Sequence, residues 1–270
     1  MGQTITSSVK TSGSELPYAR FGSGKKTLVI LPGLYTKSLM PLAEAVANQY
    51  QRFTSEYKVY LFDRVTKPLQ GYSVYDMAED TICAMDSLSL KDCYVLGVSA
   101  GGIVGQIIAA RRPDLVKKLA LSSTSAKETA LSKKIFEEWR ALAQSGNQSA
   151  LNESFARNVY TGTFYQKYKE AILSSLDGAT NEDLERFAIF ASSLLGIDVT
   201  KECSSISCPL LAVGAEEDNV FGYEAAQDIS ERSHGKYILF KGYGHAVYDE
   251  APDFLDKIQA FFAEPDRRLL

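Results

Sequence analysis

Residues Gly97-Val98-Ser99-Ala100-Gly101 set a serine between two glycines, at the end of the apolar run Tyr94-Val95-Leu96 and ahead of a helical pattern. This is the G-x-S-x-G pattern of a nucleophile elbow, and its content is geometric. A very sharp strand-to-helix turn forces the serine into backbone space that most residues avoid, so the positions two before and two after it must lack a Cβ. In return the hydroxyl points out at the top of a sheet, over the positive end of the following helix. The five-residue string also occurs by chance in glycine- and serine-rich turns between a strand and a helix, so its context decides. Here a strand pattern precedes it, a helical pattern follows, and Gly102 and Gly105 supply the small face on which such a turn packs closely.

A chain of 270 residues fits one large α/β domain, or one domain with an insertion, better than two independent ones. With 45% hydrophobic and 23% charged residues it can bury a core of ordinary size. The net charge of −4 argues against a nucleic-acid partner. Basic pairs (Lys25-Lys26, Arg111-Arg112, Lys117-Lys118, Lys133-Lys134, Arg267-Arg268) are scattered among acids and read as solvated faces. Cys83, Cys93, Cys203 and Cys208 form no C-x-x-C pair, and the chain has only two histidines, so materials for a zinc site are poor. Free thiols in a reducing compartment are the expectation. With no 18-residue apolar run and no signal peptide, a cytoplasmic protein without a membrane span is expected. The start Met1-Gly2-Gln3-Thr4-Ile5-Thr6 formally matches a myristoylation acceptor, a pattern short enough to be read as coincidence.

Strand-like and helix-like segments alternate along the chain. After a polar N-terminus, strands are expected over Leu16–Phe21, Thr27–Leu31, Lys58–Phe62, Cys93–Gly97 and Val116–Leu121. Helices are expected over Leu39–Tyr50, Tyr75–Leu88 and Ala100–Arg112. From Ser122 to about Thr200 the pattern turns all-helical, with stretches at Ser132–Gln144, Leu151–Tyr160 and Phe164–Leu176. A fourth opens with the capping-box-like Thr180-Asn181-Glu182-Asp183 and closes near Gly196. Alternation then resumes with a strand at Leu210–Val213, a helix at Gly222–Glu231, a strand at Lys236–Phe240 and a helix at Pro252–Phe262. Such a chain implies a mostly parallel central sheet flanked by helices, residues 1–124 and 201–270, with a helical cap, residues 125–200, inserted between strands.

A serine hydroxyl is a weak nucleophile near neutral pH, and needs an imidazole to take its proton and an acid to orient that imidazole. His234, in Glu231-Arg232-Ser233-His234-Gly235, falls at the expected end of a helix and reads as structural. His245, in the glycine-rich Lys241-Gly242-Tyr243-Gly244-His245-Ala246, follows the last expected strand at the sheet edge where Ser99 also points. For the acid, Leu210–Val213 runs out into Gly214-Ala215-Glu216-Glu217-Asp218-Asn219-Val220; Asp218 is the first choice and Glu217 the alternative. An oxyanion hole needs two backbone N–H groups. Ala100, after the nucleophile, offers one, and Leu34 in Leu31-Pro32-Gly33-Leu34-Tyr35 offers the second.

Together these residues resemble the α/β-hydrolase superfamily, in its cap-bearing branch of esterases, lactonases, C–C bond hydrolases and perhydrolases. The segments that carry the likeness are Leu28–Gly33, Leu61–Arg64, Tyr94–Gly102, Arg112–Val116, Cys208–Leu211, Asp218 and Gly244-His245. The order Ser99, Asp218, His245 is the order of that fold. Two departures stand out. Pro32 occupies the place where relatives often carry a histidine before the oxyanion-loop glycine, and the Gly-x-Gly-x-Ser turn common after Asp63-Arg64 is replaced by Val65–Tyr72.

The resemblance implies a serine hydrolase acting on a small-molecule ester, lactone or thioester whose acyl or alcohol part is apolar. It implies no metal or organic cofactor and no nucleic-acid partner, and leaves the oligomeric state open. Alternatives on the same triad are C–C bond hydrolysis, perhydrolysis or a ligand sensor without turnover. Some of the cap aromatics (Trp139, Phe155, Tyr160, Phe164, Tyr165, Tyr168, Phe187, Phe190) are expected to line the pocket and the rest to hold the helices together.

Overall fold

A computed structural model of the chain describes residues 3–11 and 14–265. The myristoylation match at Gly2 and the Arg267-Arg268 pair lie outside the described residues. Eight strands form one sheet: β1 (Ile5–Lys10), β2 (Glu15–Phe21), β3 (Lys26–Leu31), β4 (Tyr57–Phe62), β5 (Cys93–Val98), β6 (Val116–Ser122), β7 (Leu210–Glu217) and β8 (Lys236–Gly244). Their order across the sheet is β1-β2-β4-β3-β5-β6-β7-β8. The pairs β1·β2 and β2·β4 are antiparallel and the rest are parallel.

The central strands read as continuous apolar runs because helices cover both faces. Every residue of β5 is buried. On one face lie α2 (Val74–Ser87), α3 (Ala100–Arg111) and α9 (Tyr223–Ser233), whose Met77, Ile103, Ile107 and Ile229 join a core that includes Val29, Val95 and Leu121. On the other face α1 (Ala43–Gln49) and α11 (Phe254–Ala263) pack Ala43, Phe254, Ile258 and Phe262 against Leu28, Tyr57 and Leu96.

Between β6 and β7 the chain forms α4 (Ala130–Gln144), α5 (Gln148–Val159), α6 (Gly162–Leu176) and α7 (Asn181–Ser193), then α8 (Thr200–Ser205). The Thr180 capping box is formed, with Asp183 as its third helical residue. Trp139 centres this block, with ring centroids 5.7 Å from Phe136, 4.8 Å from Phe155 and 6.4 Å from Phe187. The insertion reaches the loops that follow the strands. The Phe136 and Phe221 rings lie 5.6 Å apart, Tyr72 and Phe190 5.9 Å apart, and the Ala246 N–H donates to the Val159 carbonyl at 2.8 Å.

Four elements differ from the expected pattern. The polar N-terminus forms β1, and the short α8 precedes β7. The helix expected over Leu39–Tyr50 divides into a 3-10 turn at Met40–Leu42, opened by Pro41, and the α-helix Ala43–Gln49. A last short helix, α10 (Val247–Glu250), follows β8.

Chain direction around the middle of the sheet matters most for function. From β3 the chain goes first to β4 on one side, then to β5 on the other. The carboxyl ends of β3 and β5 therefore flank a topological switch point, where open α/β sheets form their crevices. Leu31 leads from one side of it into Pro32-Gly33-Leu34, and Val98 leads from the other into Ser99.

Candidate active site

Ser99 has φ 52° and ψ −122°, a conformation that L-residues avoid and that costs about 1–3 kcal/mol. Its surroundings over-determine it. The Ser99 N–H donates to the Ser122 carbonyl at 2.9 Å, while the Ser99 carbonyl accepts from Gly102 N–H at 2.8 Å and from the Thr124 hydroxyl at 2.6 Å. A Cβ at Gly101 would stand 2.1 Å from the Leu31 carbonyl oxygen, and one at Gly97 would stand 2.8 Å from the Gly101 carbonyl oxygen. Backbone fills both positions, so only glycine fits.

His245 follows β8 directly. Its Nδ1 lies 2.9 Å from Asp218 Oδ1 and 3.0 Å from Oδ2, with both side chains buried. An ionised carboxylate only accepts, so Nδ1 carries the proton and Nε2 is left as an acceptor. Asp218 Oδ1 also accepts from the Val220 N–H at 2.8 Å and the Phe221 N–H at 3.0 Å. Burial opposes ionisation of Asp218, but the His245 ring and the two backbone donors outweigh it and hold the carboxyl below the usual range. The Phe221 ring packs on the His245 ring, centroids 5.9 Å apart.

The neighbouring acid takes another place. Glu217 ends β7 exposed, in register with Gly244 of β8, and makes no bond to His245. His234 caps the end of α9 in the left-handed conformation, apart from this cluster. Ser99 and the Asp218–His245 pair occupy the same carboxyl edge of the sheet, through the pairings Val98↔Ser122, Ser122↔Val213 and Glu217↔Gly244. Among the described residues no hydrogen bond joins Ser99 Oγ to the His245 ring. Such contacts commonly tighten only with substrate present.

The loop after β3 lies against the serine: a Cβ on Gly33 would come within 3.1 Å of Ser99 Cβ and 3.6 Å of its Oγ. Among the described residues no backbone hydrogen bond uses the Leu34 or Ala100 N–H. Both donors stand beside the nucleophile, at the end of β3 and the start of α3.

Arg64 is a residue to which the sequence reading gave no role. Its guanidinium is buried and donates through Nη2 to the Pro32 carbonyl and, at 3.3 Å, to the Gly33 carbonyl. The Gly33 carbonyl and the Leu34 N–H belong to one planar trans peptide and point in opposite directions. A cation fixed on the carbonyl thus sets the direction of the N–H. This guanidinium supports the loop where relatives often carry a histidine before the glycine. Burial draws the guanidinium down to about 10, against the opposing charge of Asp63, so it stays protonated at neutral pH. Asp63 in turn accepts from the Ser38 hydroxyl at 2.5 Å, the Leu39 N–H at 2.9 Å and the Arg64 N–H at 2.7 Å. The register Ile30↔Leu61 brings the ends of Leu28–Gly33 and Leu61–Arg64 together, a contact made only once β3 and β4 pair.

The family model described as the alpha/beta hydrolase fold matches residues 26–252. The chain belongs to the α/β-hydrolase family. Its sequence is 22% identical over 191 residues to a Pantoea ananatis protein provisionally named carbamate hydrolase RutD, covering 70% of each chain. It is 24% identical over 213 residues to the 3-oxoadipate enol-lactonase 2 of Acinetobacter baylyi, covering 76% of each. Among solved structures, the enol-lactonase from Burkholderia xenovorans LB400 superposes with a TM-score of 0.84 at 19% identity, over 96% of this chain and 100% of that one. The α/β-hydrolase chain described here is thus a member of a family of hydrolases. Among its described residues no helix is long and apolar enough to cross a membrane.

Proposed function

We propose that this α/β-hydrolase cleaves a small-molecule carboxylic ester, lactone or thioester through an acyl-enzyme on Ser99. The observation that carries the reading is the buried Asp218–His245 pair, with Nδ1 at 2.9 Å from the carboxylate, on the same sheet edge as a serine held at φ 52°. In the first step Ser99 Oγ bonds to the substrate carbonyl carbon as its proton passes to His245 Nε2. The N–H groups of Leu34 and Ala100 hold the negative oxygen of the tetrahedral intermediate. Its collapse breaks the carbonyl–oxygen bond, or carbonyl–sulfur in a thioester, and His245 returns the proton to the leaving group. Water, activated by the same imidazole, then attacks the acyl-enzyme, and Ser99 recovers its proton. Asp218 holds the tautomer and stabilises the imidazolium that forms twice in each cycle.

A lactone is a cyclic ester, so the enol-lactonase relative supports this bond class. The relative named for carbamate supports a second reading on the same residues, an acyl carbon that also carries nitrogen. A panel of p-nitrophenyl esters of increasing acyl length tests the first. Turnover of at least one member, with kcat lowered at least about 10³-fold in Ser99→Ala, is expected. No turnover of any ester by folded protein would contradict it.

A further inference from the structure

His245 stands on a turn of the sheet, yet the helical insertion is bonded to the residues on both sides of it. After it, the Ala246 N–H donates to the Val159 carbonyl at 2.8 Å. Before it, Gly244 faces Thr161: a Cβ there would stand 2.8 Å from the Thr161 nitrogen and 3.0 Å from Glu250 Oε1. Val159–Thr161 is the joint between α5 and α6, and Glu250 is the last residue of α10.

Glu250 connects the two sides. Its Oε1 accepts from the Thr161 N–H at 2.8 Å, and its Oε2 accepts from the Thr161 hydroxyl at 2.8 Å. The Gly244 N–H donates to the same carboxylate. Three donors thus converge on one half-buried side chain, from the strand end that carries His245 and from the insertion. A carboxylate offers two accepting oxygens and suits such a set. The ring of His245 is held by Asp218 and Phe221, but the direction of Nε2 also depends on where its backbone stands. A shift of about 1 Å at a reacting group can cost about 10²-fold in rate, even when its cause lies away from the chemistry.

We propose that Glu250 is a positioning residue for His245: by joining Gly244 to Thr161 it fixes the imidazole through the backbone and ties it to the α5–α6 joint. Its importance for turnover rests on the reading of His245 as general base; the tie itself does not. Glu250 acts by reach rather than by charge, because what it supplies is an acceptor that spans two segments. The insertion then supports the triad as well as covering it.

Paired substitutions in the full chain separate reach from charge. Glu250→Asp keeps the charge and shortens the arm by one methylene, so the span from Gly244 to Thr161 is lost. Glu250→Gln keeps the arm and an oxygen that accepts both N–H groups. Asp249→Ala releases Tyr160 and Gln49 but leaves Gly244 held, and so reports general loosening of the insertion. The chain has two histidines, so the His245 Nδ1–H proton is assigned by NMR as the one kept in His234→Asn, a change the left-handed backbone there tolerates. Its signal is expected to broaden by exchange with water in Glu250→Asp, and to persist in Glu250→Gln and Asp249→Ala. On a p-nitrophenyl ester, kcat is expected to fall about tenfold in Glu250→Asp with KM within about twofold, and to stay within about twofold in the other two. Thermal midpoints establish that the variants fold. An unchanged signal or an unchanged kcat in Glu250→Asp would overturn the proposal. Equal losses in Asp249→Ala, or losses in Glu250→Gln that spare Glu250→Asp, would overturn it as well. If the signal responds as expected while the parent cleaves no ester, the serine-hydrolase reading alone fails. If esters are cleaved and Glu250→Asp matches the parent, this inference alone fails.

Discussion

Glu217 and Asp218 are adjacent carboxylates, and one residue of chain separates an exposed strand end from a buried partner of His245. Composition cannot tell them apart, and the sequence left Glu217 open as the alternative. The turn after β7 tells them apart, because it aims Val220 and Phe221 N–H groups at the Asp218 carboxylate. Asp218→Asn is expected to lower kcat on the order of 10⁴-fold, as the equivalent change does in a serine protease, by favouring the wrong imidazole tautomer. Glu217→Gln is expected to stay within about twofold of the parent, consistent with the small effect of exposed charges. A pH signature accompanies the first variant. Although burial opposes it, the Asp218 carboxyl is held below its ordinary range by His245 and the backbone donors. Its contribution to stability is therefore complete above about pH 4 and is lost as pH falls through the folded value. The stability difference between parent and Asp218→Asn should shrink on acidification below that point, as chemical denaturation at several pH values would show.

At the scale of elements, the strand–turn–helix of β5, Ser99 and α3 was legible because its requirements are local. Glycines at fixed offsets, an apolar run before and a helical run after leave few other conformations. Gly101→Ala sets a methyl group 2.1 Å from the Leu31 carbonyl oxygen, where backbone on both sides prevents relief. It is expected to cost more than about 3 kcal/mol. Gly105→Ala comes closest to the Leu119 Cδ1 at 3.3 Å, with Leu121 Cδ2 and Leu31 Cδ1 at 3.7 Å, all side-chain ends that can move. The gain in helix propensity there offsets the crowding, and the change should stay within about 1 kcal/mol. Urea unfolding of the two variants measures both. Elements that escaped the sequence share the opposite property. β1 is almost wholly exposed and is held chiefly by pairing with β2, with Val9 alone leaning on the core, so no buried face marks it. Arg64 likewise matters through contacts thirty-odd residues away, made when β3 and β4 pair in parallel.

Across the whole molecule, the all-helical stretch was legible from periodicity, but which of its aromatics face a substrate was not. Periodicity marks a buried face and is silent on what buries it. Trp139, Tyr165 and Phe187 are buried, and Trp139 and Phe187 pack together among the helices, whereas Phe190 borders a cavity beside Gly33. Trp139→Ala is therefore expected to cost about 3–5 kcal/mol while leaving the relative rates on short and long esters as they were. Thermal midpoints beside chain-length profiles check both halves. The division of labour follows from the topology: Ser99, Asp218 and His245 all sit on turns at one sheet edge, and the insertion contributes Arg186 and Phe190 from above them.

Covalent labelling measures directly whether Ser99 is a base-activated nucleophile. The folded protein, treated with a fluorophosphonate probe and mapped by peptide mass, should carry one adduct, on Ser99. The labelling rate should drop at least about 10³-fold in His245→Ala. An adduct on another serine, no adduct on folded protein, or labelling of Ser99 at the same rate without the imidazole would contradict it.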